Sequence, residues 1–415
     1  MASDAEKTTG QPGAGSPGAG RVALITYHAA HNNGSFLQAY ATQRVIRGLG
    51  YDCDIIDFAT PRQRYLYDVY KTVGGPRDLL KNLYALAHHR VLHRRHRDFT
   101  ALIRGALRLT ANAYDDPGRM GGLEGEYDVF VSGSDQIWNM DAWDYSDAYA
   151  LSFVRRKPKI SYASSLGGHI LDKRGDAALA ERYRRLLGGY RSIAVRERAA
   201  LDYLRPLIDR PVEQVVDPTL LLDPADYASI TAPRLVRGPY LFYYAIDAIA
   251  RDDAAAEAVR RFARERGLPV VVMVTGNRSF GLRRYGFRLL DQAAPNHFLS
   301  LVRHADHVVT SSFHGTAFSV LFGRQFHVAG PGASKGGAMP VGTPASGRGG
   351  RPADDRIASL LDLCGLDDRR LPAAGSPAAA PIDYAPVWRR VAAERARCTA
   401  VLQRSLSQAM GEVCR

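Results

Sequence analysis

The chain has 415 residues, 46% of them hydrophobic, and a formal net charge of +13. That length exceeds what one hydrophobic core usually supports, so a globular protein of two domains is expected, and no apolar run approaches the roughly 20 residues of a spanning helix. The four cysteines, Cys53, Cys364, Cys398 and Cys414, show neither a C-x-x-C pair nor Cys/His metal spacing, which argues against disulfides, zinc or any other metal in the site.

Residues 1–20 are polar and crowded with Gly and Pro, as in a disordered leader, and they lack the charged-then-apolar order of a signal peptide. A cytoplasmic protein is expected. Gly13 to Gly18 matches G-x-G-x-x-G but precedes the first strand instead of following one, so the match carries no dinucleotide site and no cofactor is expected. Val22–Thr26 reads as a strand, Tyr27–Gly34 as a polar loop, Ser35–Gly48 as a helix with Ser35 as N-cap, and Cys53–Phe58 as the next strand, together a parallel βαβ unit. Arg77–Arg108 is the densest basic stretch. Leu79, Leu80, Leu83, Leu86, Val91 and Leu92 interleave with its charges at helical spacing, so a solvated amphipathic helix is preferred over a nucleic-acid site, with a peripheral contact to an acidic lipid or glycan surface as its further use.

Strands follow at Tyr127–Ser132, Lys159–Ala163, Ser192–Val195 and Val212–Leu222, then at Tyr240–Tyr244, Pro269–Val274, Asp306–Thr310 and Phe326–Val328. Asp252–Arg266, Ile357–Cys364 and Val387–Met410 read as helices. The fold class is α/β, with two doubly wound Rossmann-like domains facing a cleft, over residues 21–223 and 238–372, and a closing helix over 383–412. Residues 329–351, rich in Gly, Pro and Ser, suit either a lid or a plain loop.

If both domains turn the carboxyl ends of their strands to the cleft, polar loops distant in sequence converge there. Ser311, Ser312, His314 and Gly315 form a strand-to-helix turn whose free N–H groups suit an anion, although His314 could equally cap the helix or hydrogen-bond in the core. His28, His31, Asn32, Asn33 and Gly34 offer a second such loop. Asp135, beside Trp138, suits a sugar's hydroxyls and apolar face, or else caps a helix. Arg196, at a strand end, can clamp a phosphate or carboxylate, or pair with Glu197 or Glu213. Asp217, before Pro218, reads as a turn residue at the domain junction.

Five segments in combination resemble the polysaccharide pyruvyl transferase family: Ile25 to Tyr40, Val131-Ser-Gly-Ser-Asp-Gln-Ile-Trp138, Val195-Arg-Glu197, Asp217-Pro-Thr219 and Ser312-Phe-His-Gly-Thr-Ala-Phe-Ser319. The likeness runs from about residue 21 to 410 and includes Arg356 to Leu361 and Ile382 to Ala385. It implies a fold similar to two-domain GT-B glycosyltransferases, with phosphoenolpyruvate as donor, a glycan or lipid-linked sugar as acceptor, a pyruvate ketal as product and phosphate released. By the same resemblance His314 takes general acid/base or phosphate-stabilising duty and Arg196 binds phosphoenolpyruvate. Asp135 contacts the acceptor hydroxyls or acts as their base, and Asn32 and Gly34 line the cleft.

One departure stands out. Many members of the family read R-L-H-G where this sequence has Ser312-Phe313-His314-Gly315, so either the positive charge comes from elsewhere, with Lys335, Arg348, Arg351 and Arg356 as candidates, or the donor is a different one. The alternatives are a GT-B-type glycosyltransferase using a nucleotide sugar and a non-catalytic glycan- or nucleic-acid-binding protein.

Overall fold

A computed structural model describes residues 20–72, 74–167, 170–246, 252–275, 277–329, 355–371 and 379–413. The first sheet contains β1 (Arg21–Ile25), β2 (Asp52–Phe58), β3 (Leu109–Tyr114), β4 (Val129–Gly133), β5 (Lys159–Tyr162), β6 (Tyr190–Val195) and β7 (Val212–Gln214), in the order β3-β2-β1-β4-β5-β6-β7. The second contains β8 (Leu241–Tyr244), β9 (Val270–Met273), β10 (Arg288–Leu290), β11 (His307–Thr310) and β12 (Gln325–Val328), in the order β10-β9-β8-β11-β12. Every pairing among these strands is parallel. Parallel strands need crossovers that cover both faces, which is why β4, β8, β9 and β11 are buried at every residue.

The crossovers and flanking helices are α1 (Asn33–Gly48), α2 (Pro61–Tyr67), α3 (Pro76–Ala87), α4 (His89–Ala106), α5 (Ala177–Leu187), α6 (Arg198–Leu204), α7 (Asp253–Glu265), α8 (Pro295–His304), α9 (Phe313–Leu321), α10 (Asp355–Cys364) and α11 (Tyr384–Val413). One apolar core runs from Val22, Leu24 and Val131 of the first sheet to Phe242, Val308 and Phe326 of the second, through α1, α8, α9 and α11. Separate clusters fill the outer face of each sheet. This is the two-sheet, doubly wound architecture expected from the βα alternation. In each sheet the order reverses beside the first strand, between β1 and β4 and between β8 and β11, and ligands of such sheets bind outside the carboxyl ends at that point.

Several expectations need correction. Asn32, not Ser35, is the N-cap of α1, because its Oδ1 accepts the amide hydrogens of Gly34 and Ser35 and so starts the helix earlier. The strand expected over Val212–Leu222 ends at Gln214. The buried Leu220, Leu221 and Leu222 belong instead to a 3₁₀ turn and its exit, and an apolar run alone does not separate the two. The edge strands β3 and β10 were not anticipated, since their sequences lack a buried apolar run.

The basic stretch divides into α3 and α4. On α3 Leu79, Leu80, Leu83 and Leu86 are exposed, whereas α4 buries Phe99 and Ile103 and packs against α8 of the second half. The leader over 1–19, the stretch 330–354 with Lys335, Arg348 and Arg351, and most of the linker over Pro372–Pro381 lie outside the described residues.

Among the described residues no helix is long and apolar enough to cross a membrane. The closing helix α11 leaves the second sheet and packs back on β4, β5 and β6. On it, Arg395 donates from Nε to the Leu220 carbonyl at 2.8 Å and from Nη2 to the Leu222 carbonyl at 2.9 Å, and it pairs with Asp223, so it clamps the crossover between the halves. Arg395→Ala leaves both carbonyls without that partner. Urea denaturation should show a loss of about 1–3 kcal/mol.

Candidate functional site

The loop after β1 runs directly into α1, and the turn after β11 runs directly into α9. The two helices meet at their N-termini, where the partial positive charge lies, and Asn32 and Ser312 already accept the Gly34, Ser35 and Gly315 amides there. The contact between them is close. A Cβ added to Gly34 would lie 2.1 Å from Nδ1 of His314, so only a glycine lets the imidazole rest on the first turn of α1. At the switch points, Thr26 at the end of β1 donates to the carbonyl of Ser134, and Thr310 at the end of β11 donates to the carbonyl of Tyr244. Each threonine thus ties together the two loops that part there.

His314 is buried, and its Nε2 lies 3.7 Å from Oδ2 of Asp217, with no hydrogen-bond partner. Burial lowers its pKa below the usual 6.5, and the charge of Asp217 only partly opposes that, so the imidazole is neutral near pH 7 in the free protein. Burial would raise the pKa of Asp217, but His314, Arg196 and the N–H and hydroxyl of Thr219 together lower it. With His314 neutral, Arg196 and Thr219 carry that effect, and Asp217 remains an anion.

Arg196 donates from Nη1 to Asp217 Oδ2 at 2.7 Å and from Nε to Glu197 Oε1 at 2.9 Å, with its plane 5.3 Å from the ring centre of Phe313. Burial acts to lower its pKa, but the two carboxylates outweigh it and raise the value. The guanidinium is therefore a permanently charged strut in a buried triad. One edge, Nη2, has no hydrogen-bond partner, and neither does Glu197 Oε2. Buried polar atoms left without partners beside His314 Nε2 mark where a ligand's polar atoms fit.

Asp135 approaches from the loop after β4. Ser134 and Asp135 have φ values of 21° and 67°, a left-handed conformation that non-glycine residues adopt at a cost and that clusters at functional sites. No helix follows, so Asp135 is not a helix cap. Its Oδ1 accepts from the amide of Gln136, and its Oδ2 accepts from the hydroxyl of Ser35 at 2.5 Å, which joins the first-sheet loops. Ser134 in turn donates to Asp217 at 3.4 Å. Asp135 and Arg356 both lie close enough to act on the charge of His314.

The predicted residues fall into three groups. His314, Asp135, Arg196, Gly34 and Arg356 come together. Asn32 is exposed and caps α1, while Ser312 accepts from the amide of Gly315 as N-cap of α9, and a Cβ on Gly315 would strike Thr310, so Ser312 and Gly315 shape the turn. His28 instead faces Asp57 at 3.1 Å.

Asp217 has a larger part than its turn suggested. It does make the turn, through Oδ1 to Thr219, but its second oxygen holds Arg196 and faces His314. The segment Asp217-Pro-Thr219 already carried that signal. Glu197 and Ser35 were legible only as an ion-pair partner and a cap.

Two parallel doubly wound sheets whose switch points meet at a shared polar site define a GT-B-like α/β protein. The chain belongs to the polysaccharide pyruvyl transferase family, whose pattern matches residues 32–331, and this places it among transferases. UDP-GlcNAc 2-epimerase from Neisseria meningitidis bound to UDP-GlcNAc is similar in fold, with a TM-score of 0.50 and 10% identity over 94% of this chain and 99% of that one. The Anabaena protein HepE in complex with UDP and glucose matches with a TM-score of 0.45 and 10% identity over 95% and 100% of the two chains. UDP-N-acetylglucosamine 2-epimerase from Rickettsia bellii does so with a TM-score of 0.44 and 10% identity over 95% and 98%. No curated protein matches the chain significantly.

Gly34→Ala should leave the far-UV spectrum close to wild type while displacing His314, with a loss of about 1–3 kcal/mol in denaturant unfolding and loss of the family activity in an end-point assay. A second expectation concerns pH. Burial lowers the pKa of His314, and likewise of His31 and His307 to about 3 and of His327 to about 4, so below the usual 6.5 the unfolded chain takes up protons that the native state refuses. Stability should therefore fall as pH drops from about 6.5 toward 5. His314→Gln should reduce that slope by up to about 1.4 kcal/mol per pH unit, measured by denaturant unfolding across the window.

Proposed function

We propose that the protein transfers pyruvate from phosphoenolpyruvate onto two hydroxyls of a sugar in a polysaccharide precursor or glycoside, forming a pyruvate ketal and releasing phosphate. The observation that carries this reading is the neutral, buried His314 with an unpartnered Nε2, set between the anion Asp217 and the N-termini of α1 and α9. Phosphoenolpyruvate brings a carboxylate and a phosphate close together, which suits two helix N-termini and the open edge of Arg196.

The reaction needs two hydroxyl protons removed, one proton delivered to the methylene carbon and one leaving with phosphate. A neutral imidazole can accept a hydroxyl proton. Asp217 then stabilises the imidazolium, which delivers that proton to the methylene carbon as the hydroxyl oxygen bonds to C2 of the donor, so the electron pair of the double bond takes up the proton. As the second hydroxyl oxygen bonds to C2, the C2–O bond to phosphate breaks and its proton leaves with phosphate. Asp135, held by Ser35 in its strained turn, would orient the acceptor hydroxyls or take that second proton and pass it to the departing phosphate, and Arg356 adds positive charge beside His314. A cytoplasmic setting fits the donor and the free, buried Cys53, Cys364 and Cys398.

Incubation with phosphoenolpyruvate and candidate sugar acceptors should release phosphate and add a pyruvate ketal to the acceptor, read by mass spectrometry. His314→Ala should lower turnover by roughly 10²–10⁴-fold with folding retained. Wild-type rates in both His314→Ala and Arg196→Ala would sink the site assignment. Binding of a nucleotide sugar, with no phosphoenolpyruvate consumed, would point to glycosyl transfer instead.

A further inference from the structure

Arg95 lies on α4, in the midst of the basic run, yet it does not share the exposure of Arg94 and Arg97 on either side. It is half-buried, its guanidinium 5.2 Å from the ring centre of Phe99, and its Nη2 donates to the carbonyl of His31 at 2.5 Å. Its Nε is sealed from solvent without a partner, and among the described residues no carboxylate pairs with it. The groups close enough to act favourably on its charge are the phenols of Tyr244 and Tyr67. A buried guanidinium N–H with no acceptor and no carboxylate beside it is costly, and an anionic ligand would supply both.

The neighbouring residues point the same way. Asn33, buried at 3% exposure, donates from Nδ2 to the hydroxyl of Tyr244 at 3.3 Å, while its Oδ1 has no hydrogen-bond partner. Tyr244 ends β8 at the switch point of the second sheet, and α4 packs against α8 beside it. Residues 31–34 are thus a wall with two faces. Gly34 touches His314, and the His31 carbonyl and Asn33 face Arg95 and Tyr244.

We propose that Arg95, with Asn33 and Tyr244, forms a phosphoryl-binding subsite next to the His314 centre, taking a phosphate or diphosphate oxyanion on the guanidinium and a hydrogen-bond donor of the same ligand on Asn33 Oδ1. This rests on the reading of the cleft as a pyruvyl-transfer site only for the ligand's origin, which is either the phosphate of the donor or a phosphate carried by the sugar acceptor. It also supplies a positive charge that Ser312 does not.

The test compares wild type, Arg95→Gln and Arg95→Lys by calorimetric titration with pyrophosphate, glucose 1-phosphate and phosphoenolpyruvate, with far-UV spectra and unfolding midpoints confirming that each variant is folded. Loss of a charged hydrogen bond should weaken binding by roughly 10–100-fold in Arg95→Gln, with most of it regained in Arg95→Lys. Weakening for phosphoenolpyruvate alone supports the subsite and assigns it to the donor. Weakening for pyrophosphate and glucose 1-phosphate supports it and assigns it to the acceptor, even if phosphoenolpyruvate is never consumed. Affinities within about twofold of wild type for all probes in Arg95→Gln, or no binding of any probe by the wild-type protein, overturn the proposal.

Discussion

Asp217 is a carboxylate sealed from water, and four obligations meet on it. One oxygen closes the turn at Thr219 by which the chain leaves the first sheet, while the other receives Arg196 and Ser134 and faces Nε2 of His314 on the second. An anion in that position is tolerable only because each neighbour is present. Removing one partner of such a buried pair typically costs about 3–5 kcal/mol, because the other charge is left without compensation. The same neighbours adjust the chemistry. Arg196 keeps Asp217 ionised, and burial keeps His314 neutral until a proton arrives, when the anion beside it becomes its counter-charge.

That arrangement also explains why the two sheets meet where they do. The rigid parts of the interface are helix N-termini, and peptide dipoles aimed at one space repel each other unless something negative lies between them. In the free protein the negative charge comes from Asp135, which accepts from Ser35 on α1, and from Asp217, which faces His314 on α9. Two non-glycine residues, Ser134 and Asp135, hold left-handed backbone to bring one of those carboxylates in. The surrounding contacts that hold this turn in place are the Thr26 bond to the Ser134 carbonyl, the Ser35 bond to Asp135 and the Gln136 amide.

Much of the fold is written in local patterns. Strands buried on both faces leave runs such as Val270 to Met273, and helices leave their own period, so the alternation of βα units is legible from the chain alone. Edge strands are not, because β3 places exposed residues in its middle and has no run to recognise. Polar loops at strand ends were legible as candidates, but what each residue holds was not. Arg196 and Asp217 are 21 positions apart, Ser35 and Asp135 are 100 apart, and nothing local distinguishes a serine that caps from one that reaches another loop. Arg95 is hidden for a different reason. Its neighbours in the basic run are surface charges, and only its contact with the His31 carbonyl, 64 positions away, separates it from them.

The substitution at Ser312 shows how such a site redistributes charge. A cation two residues before His314 would sit at the start of α9, where the helix dipole already disfavours it. A serine there instead caps the helix and leaves its remaining N–H groups free for an anion. Positive charge can then enter from firmer supports: Arg196, braced by two carboxylates, Arg356 at the start of α10, and Arg95 on α4. The consequence is geometric as well as electrostatic: under the proposed reading, cations on three separate elements would reach different ends of a ligand, where a neighbour on the same turn would touch only one end of it.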